Sequence, residues 1–233
     1  MSIDAAIAAL PTDFHGSLYF DMECWDPLCE VTAPQYRNAS IAWVLQRHPG
    51  LAPAAVAAQA QAEYETAAKR WFLAPLESAR RLRPLAKCGY YNYPKCANGM
   101  KCQQFPTGTN ASALNDRLGW LWRASSSLFP TIYYDFVWHG GPGPIVRESR
   151  RLAGAAGLVL PVWWYFGCGS YTKFCSSANQ QSQWREAVTA DADGLVVWGG
   201  IKATPHGCQT FESYVRTVLG PIAKNFTSCQ HKL

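Results

Sequence analysis

Five short runs rich in apolar and aromatic residues, at 17–23, 88–93, 130–136, 158–165 and 194–198, are separated by stretches with helical spacing. Each run has strand length and each intervening stretch is long enough to cross over a sheet. The strands are therefore expected to lie parallel, with helices packed outside them. The longest crossover, 53–82, is rich in good helix formers and reads as one helix, or as two broken near Pro75. Further helices are predicted at about 115–125, 144–156, 181–190 and 209–219, and 1–10 reads as a helix fragment. Parallel strands of this kind build either an open doubly wound sheet or a barrel. Phe20-Asp21-Met22-Glu23-Cys24-Trp25 stands where a dinucleotide-binding sheet needs glycines, so a barrel is favoured. With no repeat or linker along it, the chain of 1–233 is expected to form one domain.

Composition narrows the function. Of 233 residues, 48% are hydrophobic and only 16% charged, which excludes a disordered tail or a coiled coil. Aromatic residues make up 13%, more than a core alone requires, and point to a surface that stacks on flat ligand faces such as sugars. The net charge of +5 is scattered apart from Arg80, Arg81 and Arg83 on one predicted helix, so a nucleic-acid partner is not expected. A small basic excess would help a polyanion approach, while a solvated helix face is the plainer reading of that run. Nine cysteines are too many for an ordinary reduced cytosolic enzyme, and an odd number leaves at least one thiol unpaired within the chain. Sequons at Asn38, Asn110 and Asn225 agree with an oxidising compartment. Residues 1–10 carry an acid, no base and no long apolar run, so they do not read as a secretory signal. The uncharged stretch 152–171 is interrupted by four glycines and Pro161 and reads as a helix end followed by a strand. No membrane span is expected.

Chemistry concentrates at the end of the first strand. Residues two apart on a strand share a face, about 6.6 Å apart along it at a rise of about 3.3 Å per residue, so Asp21 and Glu23 look into one space. Their repulsion, with partial burial, would raise one pKa and keep an acid protonated near neutral pH. A strand end dipping into solvent would also carry such a pair. Against that reading, Tyr90, Tyr91, Tyr133, Tyr134, Trp163, Trp164, Tyr165 and Trp198 fall at or near the carboxyl ends of the other strands, the edge where parallel barrels build active sites. Each alone could be a core aromatic. The five histidines show no paired spacing and no cysteine set fits zinc, so neither metal nor cofactor is expected. Cys24 with Cys29, Cys96 with Cys102 and Cys168 with Cys175 are spaced as loop disulfides rather than nucleophiles. A second acid facing Glu23 could come from Asp135; without one, the remaining route is attack by the sugar's own N-acetyl group, with an acid and an orienting carboxylate from the protein.

These residues bring the chain close to a known family. Over 13–225 it resembles the catalytic domain of the animal hyaluronidases. Phe20-Asp21-Met22-Glu23-Cys24-Trp25 is similar to the acid-bearing strand of that family, and Gly89-Tyr90-Tyr91-Asn92-Tyr93-Pro94-Lys95-Cys96 to the next. Trp120-Leu121-Trp122, Leu128-Phe129-Pro130-Thr131-Ile132-Tyr133, Trp163-Trp164-Tyr165, Val197-Trp198-Gly199 and 219–225 follow in the family's order. The resemblance implies a TIM-like (β/α) barrel and an endo-β-N-acetylglucosaminidase acting on hyaluronan, with weaker action on chondroitin, by a retaining, substrate-assisted mechanism. It implies Glu23 as general acid and base, Asp21 as the group that positions the acetamide, and Tyr91, Tyr133 and Trp198 as the shapers of the subsite. Tyr165 and Trp25 are implied as further substrate contacts.

The resemblance also marks departures. About two strands with their helices precede the acid-bearing strand in the family, whereas only residues 1–11 do here. The barrel is therefore expected to be incomplete, with about five parallel strands, as in a truncated form of a secreted or lysosomal parent. Cys96 and Cys102 remain disulfide candidates from their spacing, and Cys208 is expected to lack its usual partner. Cys88 stands where tryptophan is usual. The rival reading is an inactive glycosaminoglycan-binding protein that keeps the aromatic cleft, and the arrangement of Glu23, Tyr91, Tyr133 and Trp198 is what separates the two.

Overall fold

In the computed structural model, which describes residues 2–23, 25–95, 110–133, 141–154, 157–164, 174–199 and 204–230, the strands pair in chain order. β1 (Ser17–Phe20) lies parallel to β2 (Lys87–Tyr90), with Ser17 opposite Lys87 and Phe20 opposite Tyr90. Beyond β2, Tyr91 bridges Phe129 in parallel, next to β3 (Ser127–Leu128). β3 pairs with β4 (Leu158–Val159), Thr131 bridges Val162, and β5 (Val162–Trp164) pairs with β6 (Val196–Trp198). β4 and β5 are halves of one expected strand, parted at Leu160 and Pro161. Pro161 has no N–H for the ladder, although its carbonyl still accepts from Val196 N at 2.9 Å. Five parallel strand positions result, as the sequence predicts. Among the described residues β1 and β6 do not pair with each other, so the sheet is an open row and not a closed barrel. The third strand also starts earlier than expected, at Ser127, and 134–136 lie outside the described residues.

Alternation sorts the strand side chains onto two faces. On β1, Leu18 and Phe20 turn to the helices, where they join Cys88, Tyr90 and Leu128 in a core closed by Phe72 and Leu76. Tyr19 turns the other way, to Tyr91, Phe129, Tyr133 and Val162. A second helix-side core gathers Ile132, Val159, Trp163 and Trp184 under the C-terminal half. Gly89 sits opposite Tyr19 in the register, and a Cβ there would overlap the Ser127 carbonyl oxygen and stand 3.0 Å from the Phe129 ring. The absence of a side chain at 89 lets Tyr19 and Phe129 meet, with ring centroids 5.2 Å apart.

The helices are α1 (Ile3–Ala8), α2 (Pro34–Arg47), α3 (Pro53–Leu82), α4 (Ala111–Arg117), α5 (Gly119–Ala124), α6 (Gly143–Ala153), α7 (Ser177–Thr189), α8 (Pro205–Tyr214) and α9 (Gly220–Gln230). α3 runs unbroken through Pro75, against the break considered from sequence. Pro75 removes one donor from the ladder, and next to that gap the Tyr90 hydroxyl donates to the Phe72 carbonyl at 3.0 Å. α2 was not legible in the sequence. It buries only Val44 and begins at Ala33 without a side-chain cap, leaving Pro34 at its first turn as the only local signal. The expected 115–125 helix divides at Leu118 into α4 and α5. α8 continues through a π-helical turn, Val215–Leu219, into α9, with Gly220 N–H bonded to the Val215 carbonyl. Pro221 has no N–H to give the regular ladder there.

In the arginine run, Arg80 and Arg81 are exposed, as a solvated helix face implies, and Arg83 is the exception. Arg83 is buried and donates to the Ala8 and Leu10 carbonyls, which end α1, while Arg81 pairs with Asp4 at 2.8 Å and Arg80 donates to the Ala124 carbonyl at 2.9 Å. The run ties α1 and α5 to α3. No helix among the described residues is long and apolar enough to cross a membrane.

Candidate active site

Asp21 and Glu23 follow β1 directly, at the carboxyl edge of the parallel sheet, with Asp21 exposed and Glu23 half-buried. Tyr19 stands two residues before Asp21 on the same face. From there an aromatic file crosses the sheet. Tyr19 meets Tyr91 at 6.5 Å between centroids, Tyr91 meets Tyr133 at 6.2 Å, and Tyr133 stacks on Trp198 at 6.2 Å with the planes 15° apart. Tyr91 and Tyr133 are buried and Trp198 is 47% exposed, so the file opens outward at Trp198. The structure thus brings Tyr91, Tyr133 and Trp198 together as the sequence expects. It adds Tyr19 and Phe129, which strict alternation from Asp21 and Tyr133 could have revealed.

The two carboxylates act on this file and on each other. Loss of hydration, reinforced by the charge of Glu23, pushes the Asp21 carboxyl above its ordinary 3.8. Burial is the first cause of that rise and the neighbouring charge the second, whereas the sequence reading put the repulsion first. Burial pushes the Tyr91 phenol up to about 12, eased by bonds to Thr131 and Tyr133 and reinforced by Glu23 and Asp21. The Tyr133 phenol is pushed far upward, by burial first, then by Tyr91, with Glu23 adding to both effects. The Tyr91 hydroxyl and Thr131 Oγ1 lie 3.3 Å apart. Both phenols therefore stay protonated at any working pH.

Behind the acids, Trp25 turns away from the aromatic file. Its ring stacks on Phe72 at 5.3 Å and meets Trp71, Tyr64 and Tyr36 edge-on, so it packs between the acid loop and the helices α2 and α3. Trp25 has the parity of Tyr19 and Asp21, so strand alternation would put it on the other side; β1 ends at Phe20, and the loop beyond it turns the Trp25 ring to the helices. Tyr165, Cys96, Cys102 and Asp135 lie outside the described residues, as do Tyr134, Cys24 and Cys168. Cys29 is a buried free thiol, so the expected staple with Cys24 is not formed; its N–H donates to Glu65 Oε1 at 3.3 Å instead, and α3 holds the loop. Cys88 is likewise buried and free, Cys208 is exposed and free, and Cys175 is disulfide-bonded. Among the described residues no group of three His, Cys, Asp or Glu is arranged to hold a metal ion.

A carboxylate pair at the carboxyl edge of parallel strands, near a file of aromatic rings, is an arrangement that barrel-type glycoside hydrolases use. The comparisons agree with that class. A hyaluronidase family model matches residues 2–232, and the chain belongs to the hyaluronidase family. It is 34% identical to hyaluronidase-1 of Homo sapiens over 95% of this chain and 55% of that protein. It is 31% identical to a chondroitin hydrolase of Caenorhabditis elegans over 94% of this chain and 52% of that protein. The crystal structure of bee venom hyaluronidase in complex with a hyaluronic acid tetramer superposes with a TM-score of 0.77 at 27% identity, covering 91% of this chain and 70% of the other. The chain spans about half the length of the curated relatives it matches.

Proposed function

We propose that this protein is an endo-β-N-acetylglucosaminidase that cleaves the β-1,4 bonds of hyaluronan, and of chondroitin, with retention of configuration. The observation that carries this reading is the Asp21–Glu23 pair at the carboxyl edge of β1, near enough for the Glu23 charge to act on both Tyr91 and Tyr133, with Tyr133 stacked on Trp198. The family membership supports it, as do relatives named for both polymers.

Glu23 gives its proton to the glycosidic oxygen as the sugar's acetamido carbonyl oxygen attacks the anomeric carbon. The C–O bond breaks, an oxazolinium forms, and the shortened chain leaves as an alcohol. Glu23, now a carboxylate, takes a proton from water as that water opens the oxazolinium, and two inversions give net retention. Asp21 accepts from the acetamide N–H. A carboxylate that has lost part of its hydration in the free protein gains from a positive charge forming beside it, so Asp21 favours the intermediate over the bound substrate. The protonated Tyr91 and Tyr133 hydroxyls orient the acetamide, and Trp198 supplies a face for a sugar ring. No metal or cofactor is needed for these steps. Asn38, Asn110 and Asn225 are all exposed and are proposed as glycan acceptors. The disulfide at Cys175 supports a secreted or lysosomal setting.

The test is reducing-end release from hyaluronan and from chondroitin by the wild type and by Glu23→Gln, from acid to neutral pH. Cleavage by the wild type that drops by about 10²–10⁴-fold in the variant is expected. A folded wild type that binds either polymer without cleaving it would replace the enzyme with the glycosaminoglycan-binding reading.

A further inference from the structure

Immediately beyond the acids the chain enters a buried polar cluster that the reaction does not use. Lys95 Nζ lies 2.8 Å from Asp26 Oδ2, with the two side chains 0% and 7% exposed. Tyr93 donates its hydroxyl to Asp26 Oδ1 at 3.0 Å, and the Lys95 ammonium stands 5.0 Å from the Tyr93 ring. The backbone of Asp26 is held as well. Its carbonyl accepts from the Tyr64 hydroxyl of α3 at 2.5 Å, and its N–H donates to Thr32 Oγ1 at 3.3 Å. On the far side, Asn115 of α4 donates to the Lys95 carbonyl at 3.1 Å. Asp26 is three residues from Glu23, and Tyr93 is two from Tyr91. The cluster therefore joins the segment that carries the acid to the segment that carries its phenol donor. Asn92 makes the join feasible: its left-handed backbone, φ 61°, reverses the chain so that Tyr91 faces the sheet's inner side while Tyr93 reaches Asp26.

We propose that the buried Asp26–Lys95 pair, with Tyr93, is a positioning device that fixes the Glu23 loop against the Tyr91 strand end. A buried ion pair is a poor source of stability, because losing hydration offsets most of the attraction, yet its directional bonds admit one arrangement where apolar packing admits several. A general acid needs that restriction, since small displacements from the scissile oxygen lower the rate steeply. The proposal rests on the reading of Glu23 as the reacting acid for its effect on turnover, but not for its effect on the loop.

The experiment compares the wild type with Asp26→Leu/Lys95→Met, with the charge-swapped Asp26→Lys/Lys95→Asp, and with Tyr93→Phe. Amide hydrogen exchange over residues 20–33 is read together with kcat and KM on hyaluronan. In the apolar pair, exchange in 20–27 is expected to speed up about tenfold or more while α3 keeps its protection. There kcat falls about tenfold or more with KM within about twofold, and the charge-swapped pair recovers part of both losses. Tyr93→Phe leaves the ion pair in place and is expected to shift both readouts in the same direction by less. A folded apolar pair with wild-type loop exchange and wild-type kcat overturns the proposal. If that pair does not fold, Tyr93→Phe decides, and unchanged exchange and kcat there overturn it. A wild type that cleaves neither polymer refutes the enzymatic reading alone, and the loop exchange then stands as the test of the device.

Discussion

Hydration lost around the Asp21 carboxyl, with the charge of Glu23 beside it, makes the folded protein bind that proton more tightly than the unfolded chain does. A carboxyl with a raised folded-state pKa removes stability as the pH climbs from the unfolded value, 3.8, through the folded one. Asp21→Asn is therefore expected to melt with the wild type near pH 3 and above it at pH 7, with the gap opening between. Melting temperatures across that pH series check it, and a wild type that gains on the variant as the pH rises would reverse the sign. The same substitution is expected to lower turnover, since the amide cannot balance the charge of an oxazolinium.

Elements bring these residues within reach of one another. β2 does so through Gly89, where the register sets Tyr19 opposite and Phe129 adjacent. Gly89→Ala places a methyl group against the Ser127 carbonyl, a backbone atom that can move only if β3 moves with it. A loss of about 1–3 kcal/mol in urea unfolding is expected, as for overpacking elsewhere, and a change under about 0.5 kcal/mol would show that β3 yields freely. α3 contributes differently. Its thirty residues cross Pro75 without a break, because Phe72 and Leu76 on either side are buried in the core under β1 and β2 and tertiary packing overrides the local cost of proline. Propensity alone leaves that question open.

On the scale of the whole molecule, thiols sample separate parts of the fold. Cys88 is buried in the core under β1 and β2, Cys29 in the loop held by α3, and Cys208 is exposed on α8. Burial also pushes the Cys29 and Cys88 thiols upward, which removes reactive thiolate. Alkylation mapped peptide by peptide is expected to mark Cys208 in the native protein, and Cys29 and Cys88 only across the unfolding transition. Rapid native labelling of Cys88 would mean that the first core opens without global unfolding. The spacing of apolar runs was enough to read five parallel strands, because a strand and its crossover are local in sequence, and the Asp21–Glu23 pair was legible because a two-residue period needs no partner. The Tyr133–Trp198 stack, the inward turn of Tyr19, the placing of Trp25 against Phe72 and the Asp26–Lys95 pair were settled by the folded arrangement. Each joins residues that lie tens of positions apart or on opposite faces of one loop, and such contacts depend on how twisted strands and packed helices share space, which the one-dimensional pattern does not encode.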